Sequence, residues 1–97
     1  MRKTNEQSVK EVLSEMLEAY RLKSKLDETR VREIWAQVMG QVIAGYTTEI
    51  KLRRHKLFVS ISSAALRQEL SYGRDKIMRN MNDALGEDVI NEVEVRG

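Results

Sequence analysis

Residues that carry chemistry are scarce in this sequence. There is no cysteine, so a disulfide framework and a thiolate metal site are both excluded. His55 is the only histidine, which leaves a transition-metal site to be built almost wholly from carboxylates. It also leaves a nucleophile–base–orienter set without its usual base, and among Arg53, Arg54 and Lys56 it reads as an exposed turn residue. The glycines form no Walker-type or dinucleotide pattern. Glu87 and Asp88 read as an acidic turn before a strand rather than as a magnesium site. Proline is absent, so the connections are expected to be short turns built on Gly, Asn, Asp and Ser. No apolar run reaches the length of a membrane span or a signal core, and the first residues, MRKTNEQSV, are polar. The expectation is a cytoplasmic protein that uses no cofactor and no metal and is not an enzyme.

With 97 residues, 41% of them hydrophobic and 33% charged, the chain is expected to fold as one globular domain over residues 1–97. Its charge is unevenly placed. Residues 46–79 carry eight cations against three acids, a net of +5, whereas residues 80–97 carry one cation against five acids, a net of −4. A basic middle suits contact with phosphates.

The hydrophobic pattern divides the chain into elements. Thr4 and Gln7 have the spacing of a capping box opening a first helix over about 5–22. Val9, Val12, Leu13, Met16, Leu17 and Tyr20 make its one-sided apolar stripe. Asp27 is placed to cap a second helix over about 28–44, with Val31, Ile34, Trp35, Val38 and Val42 on one face, so that the helix passes Gly40, where either a second element packs closely or the helix bends, and stops at Gly45. Trp35, central in that stripe, is expected in the core.

Period-two alternation follows in a hairpin over about 46–62. Opposing Arg53 to Lys56 sets Leu52 against Leu57, Ile50 against Val59 and Thr48 against Ile61, with every branched residue facing one way. Arg54-His55 is not a favoured two-residue turn, so the tip is expected to open into a longer loop. Ser62 or Ser63 caps a helix over about 64–85, whose inner stripe is Leu66, Leu70, Gly73, Ile77, Met81 and Ala84. Gly73 is read as allowing close approach to the sheet. A last strand over about 89–95 turns Val93 and Val95 inward and Glu92 and Glu94 outward.

The order is therefore α-α-β-β-α-β, an α+β fold with a three-stranded sheet covered on one face by helices. A right-handed crossover makes the second and third strands parallel if they are neighbours. That order resembles the type II KH-like arrangement. On the sheet's outer face Phe58 lies with Lys51 and Arg53, a pattern suited to base stacking beside phosphate neutralisation. Lys51, Arg53, Arg54, Lys56, Arg67 and Arg74, with Phe58, are the candidate nucleic-acid contacts. A protein-interaction module, using the Met16-Leu17-Tyr20 edge to dock a partner or a second copy, and an RNA-binding module are the competing readings.

The segments IWAQVMGQVIAGYT (residues 34–47) and KLFVSISSAALRQEL (residues 56–70) resemble the DciA family. The matching features are Trp35, Gly40, Thr47 opening a strand, the Leu57-Val59-Ile61 alternation, the Ser63-Ala64-Ala65 helix start and the triplet Gln68-Glu69-Leu70. The resemblance implies a bacterial, non-enzymatic replication protein, cytoplasmic and beside the nucleoid. It implies a KH-like domain, help in loading a DnaB-type replicative helicase, and binding of DNA with single-stranded or forked character. The sequence departs from true KH domains in lacking a G-x-x-G loop. It also stops just after its third strand, where longer family members carry a flexible extension implicated in helicase contact.

Overall fold

The computed structural model describes residues 6–97, with side chains from Ser8 onward. Its longest element is one unbroken helix, α1 (Glu6–Met39), of 34 residues. The two helices expected over 5–22 and 28–44 are thus joined. Neither Gly nor Pro interrupts the stretch, and Asp27 does not act as a cap. Its carboxylate is buried and takes Lys23 at 2.8 Å, four residues back on the same face. Arg30 approaches it from the next turn. Side-chain cations satisfy the group, so it does not compete for backbone N–H groups, and the helix runs on. The capping box expected of Thr4 and the Gln7 side chain lies outside the described residues.

Gly40 ends α1. Its backbone, at φ 93° and ψ 161°, occupies a region open essentially to glycine alone. The helix therefore does not continue to Gly45; a short second helix, α2 (Gln41–Tyr46), leaves at a new angle. The break rotates Val42 out of the expected stripe, leaving it 71% exposed.

Strands β1 (Thr47–Arg53) and β2 (Lys56–Ile61) pair antiparallel, with Arg53 opposite Lys56, Leu52 opposite Leu57 and Ile50 opposite Val59, as the alternation predicts. The register then shifts. Thr47, not Thr48, faces Ile61, because a bulge absorbs one residue between Thr47 and Glu49. Its cause is the indole of Trp35, whose Nε1–H donates to Thr47 Oγ1 at 2.9 Å. The Thr47 hydroxyl in turn donates to the Ile43 carbonyl at 2.7 Å. A buried indole N–H needs an acceptor, and turning Thr47 inward supplies one.

The tip does not open into a loop. Arg54 and His55 close it as a two-residue turn with φ of 51° and 66°. Two bonds hold this left-handed backbone in place. His55 Nδ1–H donates to the Val89 carbonyl at 2.8 Å, and Asn91 N–H donates to the His55 carbonyl at 2.9 Å.

Ser63 caps α3 (Ala64–Tyr72), accepting from Leu66 N–H at 3.3 Å. The helix expected over 64–85 bends at Gly73 and resumes as α4 (Arg74–Leu85). A Cβ at Gly73 would meet nothing within 4 Å, so this glycine does not serve close packing against the sheet. The bend also re-phases the inner face: Asn82 and Leu85 are buried, and Ala84 is exposed. Asn82 bolts the following loop, taking Val89 N–H (3.1 Å) and Ile90 N–H (2.9 Å) on Oδ1 and giving Nδ2–H to the Ile90 carbonyl (2.7 Å). Strand β3 (Glu92–Arg96) then lies parallel to β2, giving an α+β fold with sheet order β1-β2-β3.

The core lies between the sheet's inner face and the helices. Val31 and Trp35 of α1 and Ile77 and Met81 of α4 meet Leu57, Val59 and Ile61 of β2 there. Beyond this body the first half of α1 extends alone, giving a molecule 66 Å long and only 24 Å by 20 Å across.

The two interrupting glycines predict opposite outcomes. Gly40→Ala meets free space but a forbidden backbone, and costs about 1–3 kcal/mol. Gly73, at φ −113° and ψ 27°, accepts a side chain, so Gly73→Ala is neutral or gains about 0.4–1 kcal/mol. Urea unfolding followed by Trp35 fluorescence measures both.

Candidate nucleic-acid interface

Alternation along three paired strands lays nine residues on the outer face of the sheet in three rows. Arg53, Lys56 and Glu92 form one row; Lys51, Phe58 and Glu94 the next; Glu49, Ser60 and Arg96 the third. Phe58 sits at the centre. The helices pack on the opposite face, and Phe58 is half-buried by the long side chains around it. Lys56 Nζ lies 5.1 Å and the Arg96 guanidinium carbon 4.8 Å from its ring centroid. Arg96 is the contact that the sequence pattern alone did not single out. It belongs to the acidic end of the chain, and only the parallel register, with Arg96 opposite Ser60, carries it to Phe58. The alternation that sends Glu92 and Glu94 outward was the available signal.

The same register counters the charge of the hairpin. Lys56 Nζ pairs with Glu92 at 3.2 Å and with Glu94 at 3.3 Å. Its pKa is raised, by the Glu92 bond first and the Glu94 bond next. Lys51 stands 3.6 Å from Glu49, and Arg96 reaches both Glu49 and Glu94 at 3.8 Å. Arg53 binds Glu28 of α1 at 2.9 Å.

The remaining candidates lie elsewhere. Arg54 projects from the hairpin tip with no ion-pair partner among the described residues. Arg67 donates Nη1–H to the Ile61 carbonyl and so ties α3 to the end of β2. Arg74 opens α4 in the helical layer, exposed and likewise unpaired among the described residues. The structure thus brings Lys51, Arg53, Lys56 and Phe58 onto one face, sets Arg54 at its margin, and holds Arg67 and Arg74 apart from it.

Glu28 links this face to α1 and closes the open edge of β1. Its carboxylate accepts Leu52 N–H at 2.7 Å as well as Arg53, and Arg32 beside it donates to the Ile50 carbonyl at 3.1 Å. Edge groups that would otherwise template another strand are thereby occupied. Burial raises the Glu28 pKa, but the Leu52 bond and the charges of Arg32 and Arg53 outweigh it, and the net shift is downward. Glu87, the acid of the turn before β3, is engaged by Arg30 at 3.0 Å and Lys23 at 3.3 Å. Its pKa is also lowered, by Arg30 first and then Lys23. Among the described residues no three His, Asp or Glu side chains gather into a cation-binding group, and no helix is long and apolar enough to cross a membrane.

A carboxylate whose pKa is lowered by folding stabilises the fold above its unfolded pKa. That contribution disappears as pH falls through the folded value. Glu28→Gln is therefore expected to cost about 1–2 kcal/mol at neutral pH. The variant's stability should also fall less steeply than the parent's as pH drops below the ordinary carboxylate range. Urea midpoints across that acidic range test this; parallel curves for the two proteins would refute it.

Comparison with known proteins gives one family. The chain matches the family model described as Dna[CI] antecedent, DciA, over residues 8–95. No curated protein and no solved structure gives a significant match. The matched span runs from the exposed start of α1 to the penultimate residue of β3, and the chain belongs to the DciA family.

Proposed function

We propose that this protein assists loading of the replicative DnaB-type helicase and itself holds single-stranded or forked DNA against the outer face of its sheet. The family match over residues 8–95 carries the first half. DciA proteins are helicase-loading accessories of DNA replication rather than known enzymes, so the partner is the replicative helicase. The KH-like reading of the element order is part of the same proposal, as are a cytoplasmic location beside the nucleoid and the extent of the domain.

The DNA half rests on Phe58. Among the described residues no helix packs over its ring, and two cations rest against it. Exposed cation–π contacts are weak, and a stacked base contributes about 1–3 kcal/mol, enough to take the place of the two cations on the ring. The displaced Lys56 and Arg96 are then free to meet phosphates. Surface ion pairs such as Lys56–Glu92 are screened by solvent and yield readily. Lys51, Arg53 and Arg54 complete the contact set.

Three carboxylates share this face with four cations, so electrostatics alone attracts DNA weakly. A basic hairpin read from the sequence alone implies affinity that falls steeply with salt, and with these carboxylates beside it the fall becomes modest. About three neutralised phosphates give a slope near −2 for log affinity against log salt on a single strand. Phe58→Ala should weaken binding of fluorescent single-stranded DNA about tenfold while leaving that slope unchanged. Lys51→Ala with Arg54→Ala should flatten the slope. Tighter binding to a duplex than to a single strand, or an unaffected Phe58→Ala protein, would remove DNA from this face. RNA of the same sequence as competitor decides between the two nucleic acids.

A further inference from the structure

We propose that residues 8–22 of α1 form a self-association surface on which a second copy of this chain packs as an antiparallel helix pair. This segment carries the largest apolar stripe left uncovered in the structure: Val9, Val12, Leu13, Met16, Leu17 and Tyr20, each between 45% and 62% exposed. At roughly 100° per residue the six lie within an arc of about 140°. That arc coincides with the one that holds Val31, Ile34, Trp35 and Val38 further along. The stripe thus continues the face with which α1 covers the sheet, beyond the point where the sheet ends.

Two observations select a second copy in antiparallel orientation. The stripe reads the same in both directions about a point between Ser14 and Glu15. A two-fold axis there sets Val9 against Tyr20 of the second copy, Val12 against its Leu17 and Leu13 against its Met16, so that smaller side chains meet larger ones. Sterics exclude the alternative. In a parallel pair both bodies would project from the contacting face and collide, because each sheet sits on that same face of α1. Reversing one helix carries the two bodies to opposite ends of the pair, each with its Lys23–Glu87 tie level with the first turn of the other helix.

Area and charge agree with this choice. The exposed stripe amounts to on the order of 500 Å² per helix, or about 1,000 Å² for the pair, at the lower bound of a specific interface. Glu11 and Glu18 fall at matching heights but on the far sides of the two helices. Lys10 stands level with Ala19, so no like charges are forced together at the seam.

Sedimentation equilibrium of the full chain is expected to give a concentration-dependent mass rising from 11.3 kDa toward twice that value. Met16→Glu, at a position 62% exposed within one chain, should hold the mass at the single-chain value while Trp35 emission stays that of a folded body. Orientation is read separately. The chain has no cysteine of its own, so Val9→Cys and Tyr20→Cys each introduce a unique thiol. A short bismaleimide should link the two variants in a mixture and leave Val9→Cys alone unlinked. A single-chain mass at every concentration, or a dimer that survives Met16→Glu, overturns the interface. Efficient self-linking of Val9→Cys overturns the antiparallel arrangement.

Discussion

The indole N–H of Trp35 must find an acceptor inside the core, and much of the architecture follows from where that acceptor is. Thr47 supplies it and donates its own O–H to the Ile43 carbonyl, so one hydroxyl joins α1, α2 and β1. Thr47 stands twelve residues after Trp35, too far along a continuous helix to meet the indole, and the break at Gly40 folds α2 back so that it does. With Thr47 turned inward, the strand needs an extra residue before its alternation resumes, and the bulge at Thr48 provides it. Beyond the bulge Ile50 and Leu52 face the core, Lys51 and Arg53 face out, and Phe58 is fixed on the outer side opposite Lys51. The orientation of the candidate interface is in this sense set by a hydrogen bond on the other face of the sheet.

The second organising fact is the parallel pairing of β2 with β3. Along the chain the charges separate into a basic middle and an acidic end, but in space the strand order interleaves them. Glu92 and Glu94 settle beside Lys56, and Arg96 settles beside Phe58. A linear sum of charge overstates the field of such a face. On the proposed function, such a face would bind less by long-range attraction than by the short-range energy of its aromatic ring.

Element types and the centre of the hairpin were legible in the sequence because they rest on local periodicity. Leu52 opposite Leu57 and Ile50 opposite Val59 are forced by burial of one face, and the core position of Trp35 follows from the helical stripe around it. The features that were not legible depend on distant partners. Asp27 has the chemistry of a helix cap, yet in the fold it is neutralised by Lys23 and Arg30, and the latter also reaches Leu85 and Glu87 across the chain. Arg54 and His55 are poor residues for a left-handed turn, and it is Val89 and Asn91, thirty-odd positions away, that hold them there. Asn82, Glu28 and Arg96 likewise acquire their roles only when strands and helices meet. Gly40 and Gly73 look alike on paper, and only the backbone angles separate a required glycine from a tolerated one.

The long helix raises a different question of stability. Residues 27–39 of α1 are held by the core, so the costly nucleation step is already satisfied where the helix leaves the body. Propagation from there is close to neutral for each added residue, and it exposes six sizeable apolar side chains on a single face. A chain that gained nothing from that face would do better with polar residues, as it has on the opposite side at Glu11, Glu15 and Glu18. The stripe keeps the phase of the core through Lys23 and Asp27, whose ion pair marks the exit from the body without turning the helix. The arm and the sheet's outer face lie on different parts of the molecule, since α1 is packed on the inner side. A contact along one therefore leaves Phe58 and its neighbours open, and a protein partner and a strand of DNA need not compete for the same surface.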